Sequence, residues 1–322
     1  MWAALGQPKT YLEPFFGSGA VLLLRPDFQP GVHIETVCDK DGFLSNCWRS
    51  IQFSPDETAR WCDWPVIHCD LSARKRELIK NEGQLLDGLS ADPKWHDPVM
   101  AGYWIWAASC WIGSGLTALG QRPHVGNSGM GVHALGKRPH VSNGGKGVHA
   151  LGQIPHVSNE TADPTAPYNT NIYAWLRRLS ERLRYVRVVC GDWTRICGGK
   201  WQDKGGDAGI FFDPPYSHDV GRDEGIYHEE SATVAKAVAE WAVERGEQAA
   251  YRIVLAGYYE EHEWLLARGW TVKRWKAQGG YANVRRDVNE ETQGAANRHR
   301  EALFFSPHCL ARRRIGKQRM IA

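Results

Sequence analysis

The stretch Gly209-Ile210-Phe211-Phe212-Asp213-Pro214-Pro215-Tyr216 joins an apolar run to a carboxylate, two prolines and a tyrosine. Proline has a fixed φ and no N–H, so a central strand cannot continue through Pro214 and Pro215. We therefore expect Asp213 and Tyr216 at the carboxyl end of a buried strand. Open α/β sheets bind their ligands at that edge.

The residues at this strand end are suited to binding an amino group. A carboxylate beside a carbonyl that lacks a neighbouring N–H can accept two hydrogen bonds from one amino group, and Tyr216 offers a flat face for stacking. An exocyclic amine on a nucleobase that has been swung out of its duplex fits this arrangement. The alternative is a strand that ends in a simple turn, which Asp-Pro-Pro also forms well.

A second motif lies near the start of the chain, at Tyr11-Leu12-Glu13-Pro14-Phe15-Phe16-Gly17-Ser18-Gly19. It predicts a strand, a glycine turn and the start of a helix, because Gly17 and Gly19 adopt φ > 0 without strain. Residues 32–39 predict the next strand. Its last residue, Asp39, follows the turn by about 20 residues, the spacing at which α/β nucleotide sites place an acid on ribose. A strand-end cap is the other interpretation of Asp39.

Composition limits the class of protein. The chain has 322 residues, which suits one large domain or a domain with an insertion, and a net charge of only +3. Its eight cysteines form no C-x-x-C pair, so we expect reduced thiols and a cytoplasmic location. The sequence contains neither a signal-peptide pattern nor an apolar run of the roughly 20 residues that span a membrane.

Taken together, Glu13-Pro14-Phe15, Gly17-Ser18-Gly19, Asp39 and Asp213-Pro214-Pro215-Tyr216 resemble the motifs of the Dam-like (D12 class) DNA adenine-N6 methyltransferases. The resemblance covers roughly residues 11–51 and 185–310. It implies an α/β, Rossmann-like fold of the kind that uses S-adenosylmethionine, with a mostly parallel, doubly wound sheet and an inserted recognition region. Family members usually have a longer segment with a Gly-Gly-Lys sequence before the first motif, whereas ten residues precede it here.

The resemblance also implies roles for individual residues. Asp213, Pro214, Pro215 and Tyr216 would form the catalytic motif that binds the target adenine. The residues expected to bind S-adenosylmethionine are Tyr11, Glu13, Pro14, Phe15, Gly17, Ser18, Gly19, Asp39, Asp192 and Asp213. Asp192 would meet the adenine amine of the cofactor; alternatively, it caps a helix that begins near Trp193. No metal is expected.

Residues 56–168 interrupt the pattern and contain a sixteen-residue repeat, in which Ala118–Val125 recurs at Ala134 and Ala150. No Asp or Glu occurs between Asp97 and Glu160, and a basic, glycine-rich segment suits a phosphate backbone. With the family resemblance, this favours contact with double-stranded DNA. The expected DNA-binding residues are Arg122, His124, Lys137, Arg138, His140, Lys146 and, after the catalytic motif, Tyr227. A histidine metal site and a flexible loop without a ligand are the alternatives.

The predicted organisation has four parts: the cofactor motif in 1–55, the recognition insert in 56–168, the catalytic part in 169–310 and a basic tail in 311–322. Periodicity predicts helices over 44–51, 72–87, 99–112, 171–183, 231–244 (capped by Ser231) and 260–268. It also predicts a strand and turn over 186–193 and further strands over 252–256, 270–275 and 302–305. A loop is predicted over 217–227. Other functions stay open: methylation of cytosine N4, RNA or a protein amide, or a non-catalytic DNA-binding relative.

Overall fold

The computed structural model describes residues 1–65, 67–92, 94–110, 168–199, 207–215, 226–274 and 300–310. It is an α/β structure with a seven-stranded, mostly parallel sheet in the order β3-β2-β1-β4-β5-β7-β6. The strands are β1 (Thr10–Glu13), β2 (Ile34–Asp39), β3 (Val186–Cys190), β4 (Ala208–Phe212), β5 (Tyr251–Tyr258), β6 (Thr271–Arg274) and β7 (Glu301–Phe305). The α/β class and the mostly parallel sheet predicted from the sequence are confirmed, and the topology is compatible with a Rossmann-like fold.

The longer helices are α3 (Gly42–Phe53), α4 (Pro55–Cys62), α5 (His68–Ala91), α6 (Pro98–Cys110), α7 (Tyr168–Leu183) and α9 (Ile226–Gly246). Short helices are α1 (Trp2–Leu5), α2 (Ala20–Leu23), α8 (Thr194–Cys197) and α10 (Tyr259–His262), and α10 continues as a 3-10 helix over Glu263–Arg268. Of the helices that the structure describes, none is long and apolar enough to cross a membrane.

The chain divides into two compact units. The first contains Met1–Phe15, Pro26–Thr36 and Ile196–Ala322, and the second contains Phe16–Arg25 and Val37–Arg195. The first unit therefore holds β1, β4, β5, β6 and β7, with the proline-terminated strand β4 among them. The second holds β3, the helices α3 to α7 and the glycine turn.

In the first unit, β4 pairs in parallel with β1 and with β5, so that Leu12 lies opposite Ile210 and Phe212 opposite Leu255. The side chains of β4 are all buried, as expected of a parallel strand covered on both faces. Strand β7 runs antiparallel to β5 and to β6, which places its first residue, Glu301, opposite Tyr258. The amino end of β7 thus lies at the sheet edge where β4 and β5 end.

In the second unit, α3 begins with a side-chain cap, because the Asp41 carboxylate accepts hydrogen bonds from the backbone N–H groups of Phe43 and Leu44. One of the cations buried between the helices is Arg74. The Arg74 side chain is buried, and its guanidinium lies 4.4–4.7 Å from the ring centroids of Trp64, Tyr103 and Trp106. Three aromatic faces, together with the Trp61 carbonyl oxygen that accepts from the Arg74 Nη1 at 2.9 Å, therefore contribute to stabilising this buried charge.

Most predicted elements are present with shifted ends. The apolar face over 44–51 belongs to α3, and β3 lies within the strand and turn predicted over 186–193. Two predictions were wrong: Ser231 does not cap a helix, because α9 begins at Ile226, and the loop predicted over 217–227 therefore ends earlier. No glycine or proline stands between Ile226 and Ser231 to stop the helix from extending backwards.

Candidate functional site

The described residues of the predicted catalytic motif, Asp213, Pro214 and Pro215, lie where the sequence predicts them, at the carboxyl end of β4. The strand ends at Phe212, and Asp213 follows as an exposed residue. Pro214 is buried and Pro215 is exposed, whereas Tyr216 lies outside the described residues. The two prolines therefore end a fully buried strand and leave the Asp213 carboxylate accessible at its tip.

The first motif reaches the same edge of the first unit. Strand β1 is the parallel neighbour of β4, and Glu13 is its last residue. The Glu13 side chain is buried and accepts a hydrogen bond from the Tyr11 hydroxyl at 2.9 Å. One residue past Pro14, the Phe15 ring lies 6.4 Å from the ring of Phe212. Strands β1 and β4, which lead into the two predicted motifs, therefore end side by side.

Strands β1 and β4 are also the point where the strand order of the sheet reverses. Open α/β sheets bind ligands at such a switch point, outside the carboxyl ends of the strands.

A further carboxylate at this edge was not predicted from the sequence. Glu301 opens β7, and its pKa is raised by burial and by the negative charge of Asp213. Because β7 runs antiparallel to β5, its first residue lies at the edge where its neighbours end. Sequence spacing alone does not reveal this, since the antiparallel position of β7 is set by long-range pairing.

The glycine turn lies in the second unit and has the backbone conformation that its sequence requires. Gly17 has φ 48° and Gly19 has φ 67°. The Gly17 N–H donates to Asp39 Oδ2 at 2.9 Å, and the Trp48 indole N–H donates to the Gly17 carbonyl oxygen at 3.1 Å. The turn is therefore fixed to the end of β2 and to α3.

Asp39 links the glycine turn to its own strand end. Its Oδ1 accepts the N–H of Asp41 at 2.9 Å, while burial raises the pKa of the carboxyl and the backbone N–H groups lower it. A carboxylate has about four lone-pair positions, and the backbone N–H groups of Gly17, Lys40 and Asp41 occupy three of them. Asp39 thus keeps acceptor capacity for a ligand while it holds the turn, so the cap interpretation describes only part of what its carboxylate can do.

Asp192 follows β3 and is exposed. Its Oδ1 accepts hydrogen bonds from the backbone N–H of Thr194 at 2.9 Å and from the Thr194 hydroxyl at 2.6 Å. The helix-cap interpretation of Asp192 is therefore confirmed. The preceding Gly191 N–H donates to the Asp39 carbonyl oxygen at 2.9 Å, which joins the ends of β2 and β3 in the second unit.

The remaining predicted residues are described in part or not at all. Arg122, His124, Lys137, Arg138, His140 and Lys146 lie outside the described residues, as does the basic tail over 311–322. Tyr227 belongs to α9, of which the structure describes the backbone at that position. In the parts of the chain that the structure describes, no group of three or more His, Cys, Asp or Glu side chains could hold a metal ion.

Comparison with known proteins found no family model that matches the chain and no curated protein that matches it. The interpretation of the site therefore depends on its motifs and on the described geometry. In the first unit that geometry comprises an exposed acid at a strand end and a buried acid on the adjacent strand. In the second unit it comprises a glycine turn bound to the acid that ends β2.

Proposed function

We propose that the protein is a DNA methyltransferase that transfers the methyl group of S-adenosylmethionine to N6 of adenine, and that its sheet is that of a methyltransferase fold. The observation that carries the proposal is the position of Asp213. This carboxylate is exposed at the proline-terminated end of β4, beside the end of β1 and at the switch point of the sheet. A ligand at such a point meets a fixed acid rather than a mobile one.

The residues of the first motif fit the cofactor. A turn with two positive-φ glycines lets the backbone approach a ligand closely, and Asp39 retains an acceptor position for a ribose hydroxyl. Glu13, Phe15, Gly17, Gly19, Asp39 and Asp192 would hold S-adenosylmethionine. When bound, this cofactor supplies a methyl group on a positive sulfonium, which is already electrophilic.

The contribution of the chain is to position the acceptor nitrogen. The Asp213 carboxylate and the Pro214 carbonyl would accept the two N–H groups of the adenine amine, which directs the nitrogen lone pair out of conjugation with the ring. Tyr216 would stack on the flipped base. Transfer forms one N–C bond and breaks one S–C bond, and the amine releases one proton to a carboxylate or to water. Alignment of the two reactants supplies most of the rate enhancement.

The proposal is tested by incubating the protein with methyl-labelled cofactor and unmethylated duplex DNA, followed by analysis of the nucleosides. We expect label in N6-methyladenine, and we expect Asp213→Ala to abolish it without loss of folding, because Asp213 is exposed. Asp87→Ala is the matched control, since Asp87 is an exposed acid on α5.

The same assay separates the other functions. With duplex DNA, label in N4-methylcytosine would identify cytosine as the substrate. With RNA or protein in place of DNA, label in either would identify that molecule as the substrate. Cofactor binding without any transfer would identify a non-catalytic relative. Methyladenine produced at an undiminished rate by Asp213→Ala would contradict the role assigned to this carboxylate.

A further inference from the structure

A compact group of positive charge lies in the second unit, at the connection from α7 to β3. Between Arg177 and Arg187 the sequence contains five arginines and a single acid, Glu181, although the whole chain has a net charge of only +3. Arg177 forms an ion pair with Asp56, with 2.6 Å between its Nε and Oδ1. Arg178 and Arg182 belong to α7, whereas Arg184 and Arg187 stand at the turn and the start of β3.

The turn is held rigidly by its neighbours. Leu183 and Val186 are buried on either side of it. The Gln52 side-chain amide at the end of α3 donates to both of their carbonyl oxygens, at 2.7 Å and 3.0 Å, and the Ser180 hydroxyl donates to the Gln52 carbonyl oxygen at 2.8 Å. The first of these bonds satisfies the carbonyl group of Leu183, the last residue of α7, and the second holds the first residue of β3. The intervening residues are therefore presented in one conformation.

The residues that this turn exposes are cationic and aromatic. Arg184, Tyr185 and Arg187 are exposed, and the Arg184 guanidinium lies 5.3 Å from the centroid of the Tyr185 ring. The residue after Gln52, Phe53, is 49% exposed at the end of α3, and Tyr185 is 44% exposed. Two accessible rings thus accompany the arginines. We call Phe53, Arg184, Tyr185 and Arg187 the α7–β3 surface.

We propose that the α7–β3 surface binds the sugar-phosphate backbone of DNA, with Arg184 and Arg187 on phosphate oxygens and Tyr185 against a sugar or an exposed base. Arginine pairs with phosphate through its planar set of donors. An arginine on an aromatic face suits contact with a strand that presents both charges and rings. A preorganised turn loses little side-chain freedom on binding. The choice of DNA as the ligand rests on the proposed function, but the surface does not require methyl transfer.

The test measures the affinity of the full chain for a fluorescent duplex by anisotropy at several salt concentrations. Arg184→Gln/Arg187→Gln should lower the slope of log affinity against log salt by about two, since each phosphate contact contributes about 0.9. At about 0.1 M salt this corresponds to a loss of affinity on the order of ten- to sixtyfold. Arg76→Gln/Lys80→Gln removes the same charge from two exposed cations of α5 and should change both quantities little.

Three further measurements decide between explanations. The wild type should bind the duplex through this surface whether or not it transfers methyl, so that failure of methyl transfer alone overturns the proposed function and leaves the proposal for this surface standing. If the α7–β3 and α5 double variants lose the same DNA affinity, the proposal for the α7–β3 surface is wrong, because the loss would then reflect net charge only. Binding to phosphatidylserine vesicles without binding to DNA would also overturn it, in favour of a membrane ligand.

Discussion

Arg49 offers the sharpest test of how the second unit is stabilised. Its side chain is 7% exposed, and its Nη1 donates to the carbonyl oxygens of Leu89 at 3.2 Å, Asp92 at 3.2 Å and Trp95 at 3.3 Å. Leu89 belongs to the last turn of α5, whose carbonyl groups have no partner within the helix. The Arg49 guanidinium on α3 therefore caps the end of α5 and fixes the segment that follows α5. Burial lowers the pKa of Arg49.

We predict that Arg49→Met destabilises the protein by about 3 kcal/mol. Hydrogen bonds to a charged donor contribute about 1.5–3 kcal/mol each, and two N–H groups serve these three acceptors. Two effects reduce the sum: water reaches the carbonyl group of the exposed residue Asp92, and the variant no longer buries a charge. Methionine keeps the aliphatic stem in place, so the change isolates the guanidinium.

Urea denaturation followed by tryptophan fluorescence measures the effect. With a slope of about 3 kcal/mol per M, the midpoint should fall by about 1 M. Arg76→Met, an exposed arginine on α5, is the control and should change stability by less than about 0.5 kcal/mol. If the two variants lose the same amount, the carbonyl bonds of Arg49 do not stabilise the helix end.

Two other predictions concern the glycine turn and a buried histidine. A Cβ at Gly17 meets nothing within 4 Å, whereas one at Gly19 comes 2.8 Å from Phe16 Cζ. Gly17→Ala should therefore destabilise the protein by about 1 kcal/mol through backbone strain, and Gly19→Ala should destabilise it measurably more. Urea denaturation midpoints check this ranking. His262 is 2% exposed, its Nε2 lies 3.9 Å from Glu261, and burial lowers its pKa, so the folded state takes up a proton less readily than the unfolded chain. The contribution of His262 to the free energy of unfolding is fully present above about pH 6.5 and is lost as the pH falls below it, by up to about 1.4 kcal/mol per pH unit. His262→Leu should remove that share of the acid loss between pH 8 and pH 5, and an unchanged difference would show that His262 does not cause it.

The parts of the fold that follow from local chemistry were predictable. Pro214 and Pro215 end β4 wherever it lies in the sheet, because they cannot take part in a ladder. Positive φ at Gly17 and Gly19 follows from the same reasoning about single residues. Ser231 shows the limit of such arguments, since a good capping residue does not start a helix when the preceding residues also accept helical geometry.

The parts that depend on long-range pairing were not predictable. A strand was expected over 302–305, but its antiparallel position between β5 and β6 was not, and this position brings Glu301 to the edge that carries Asp213. Arg49 was not singled out, because its partners lie 40 to 46 residues away along the chain. No residue pattern encodes such a distance; it results from how α3, α5 and α6 pack.

Sequence spacing also cannot separate an acid that organises the backbone from one that binds a ligand, whereas hydrogen bonds can. Asp192 uses its Oδ1 on Thr194, Asp39 places both oxygens on backbone N–H groups, and Asp213 is exposed. For Asp39 the two roles are not exclusive, because the bond that holds Gly17 also orients the carboxylate beside the turn. A ligand hydroxyl that replaced this bond would release the turn, whereas one that used the remaining lone pair would find it already ordered. The cofactor proposal therefore requires Asp39 to act in the second way, as an acceptor whose position the glycine turn has fixed in advance.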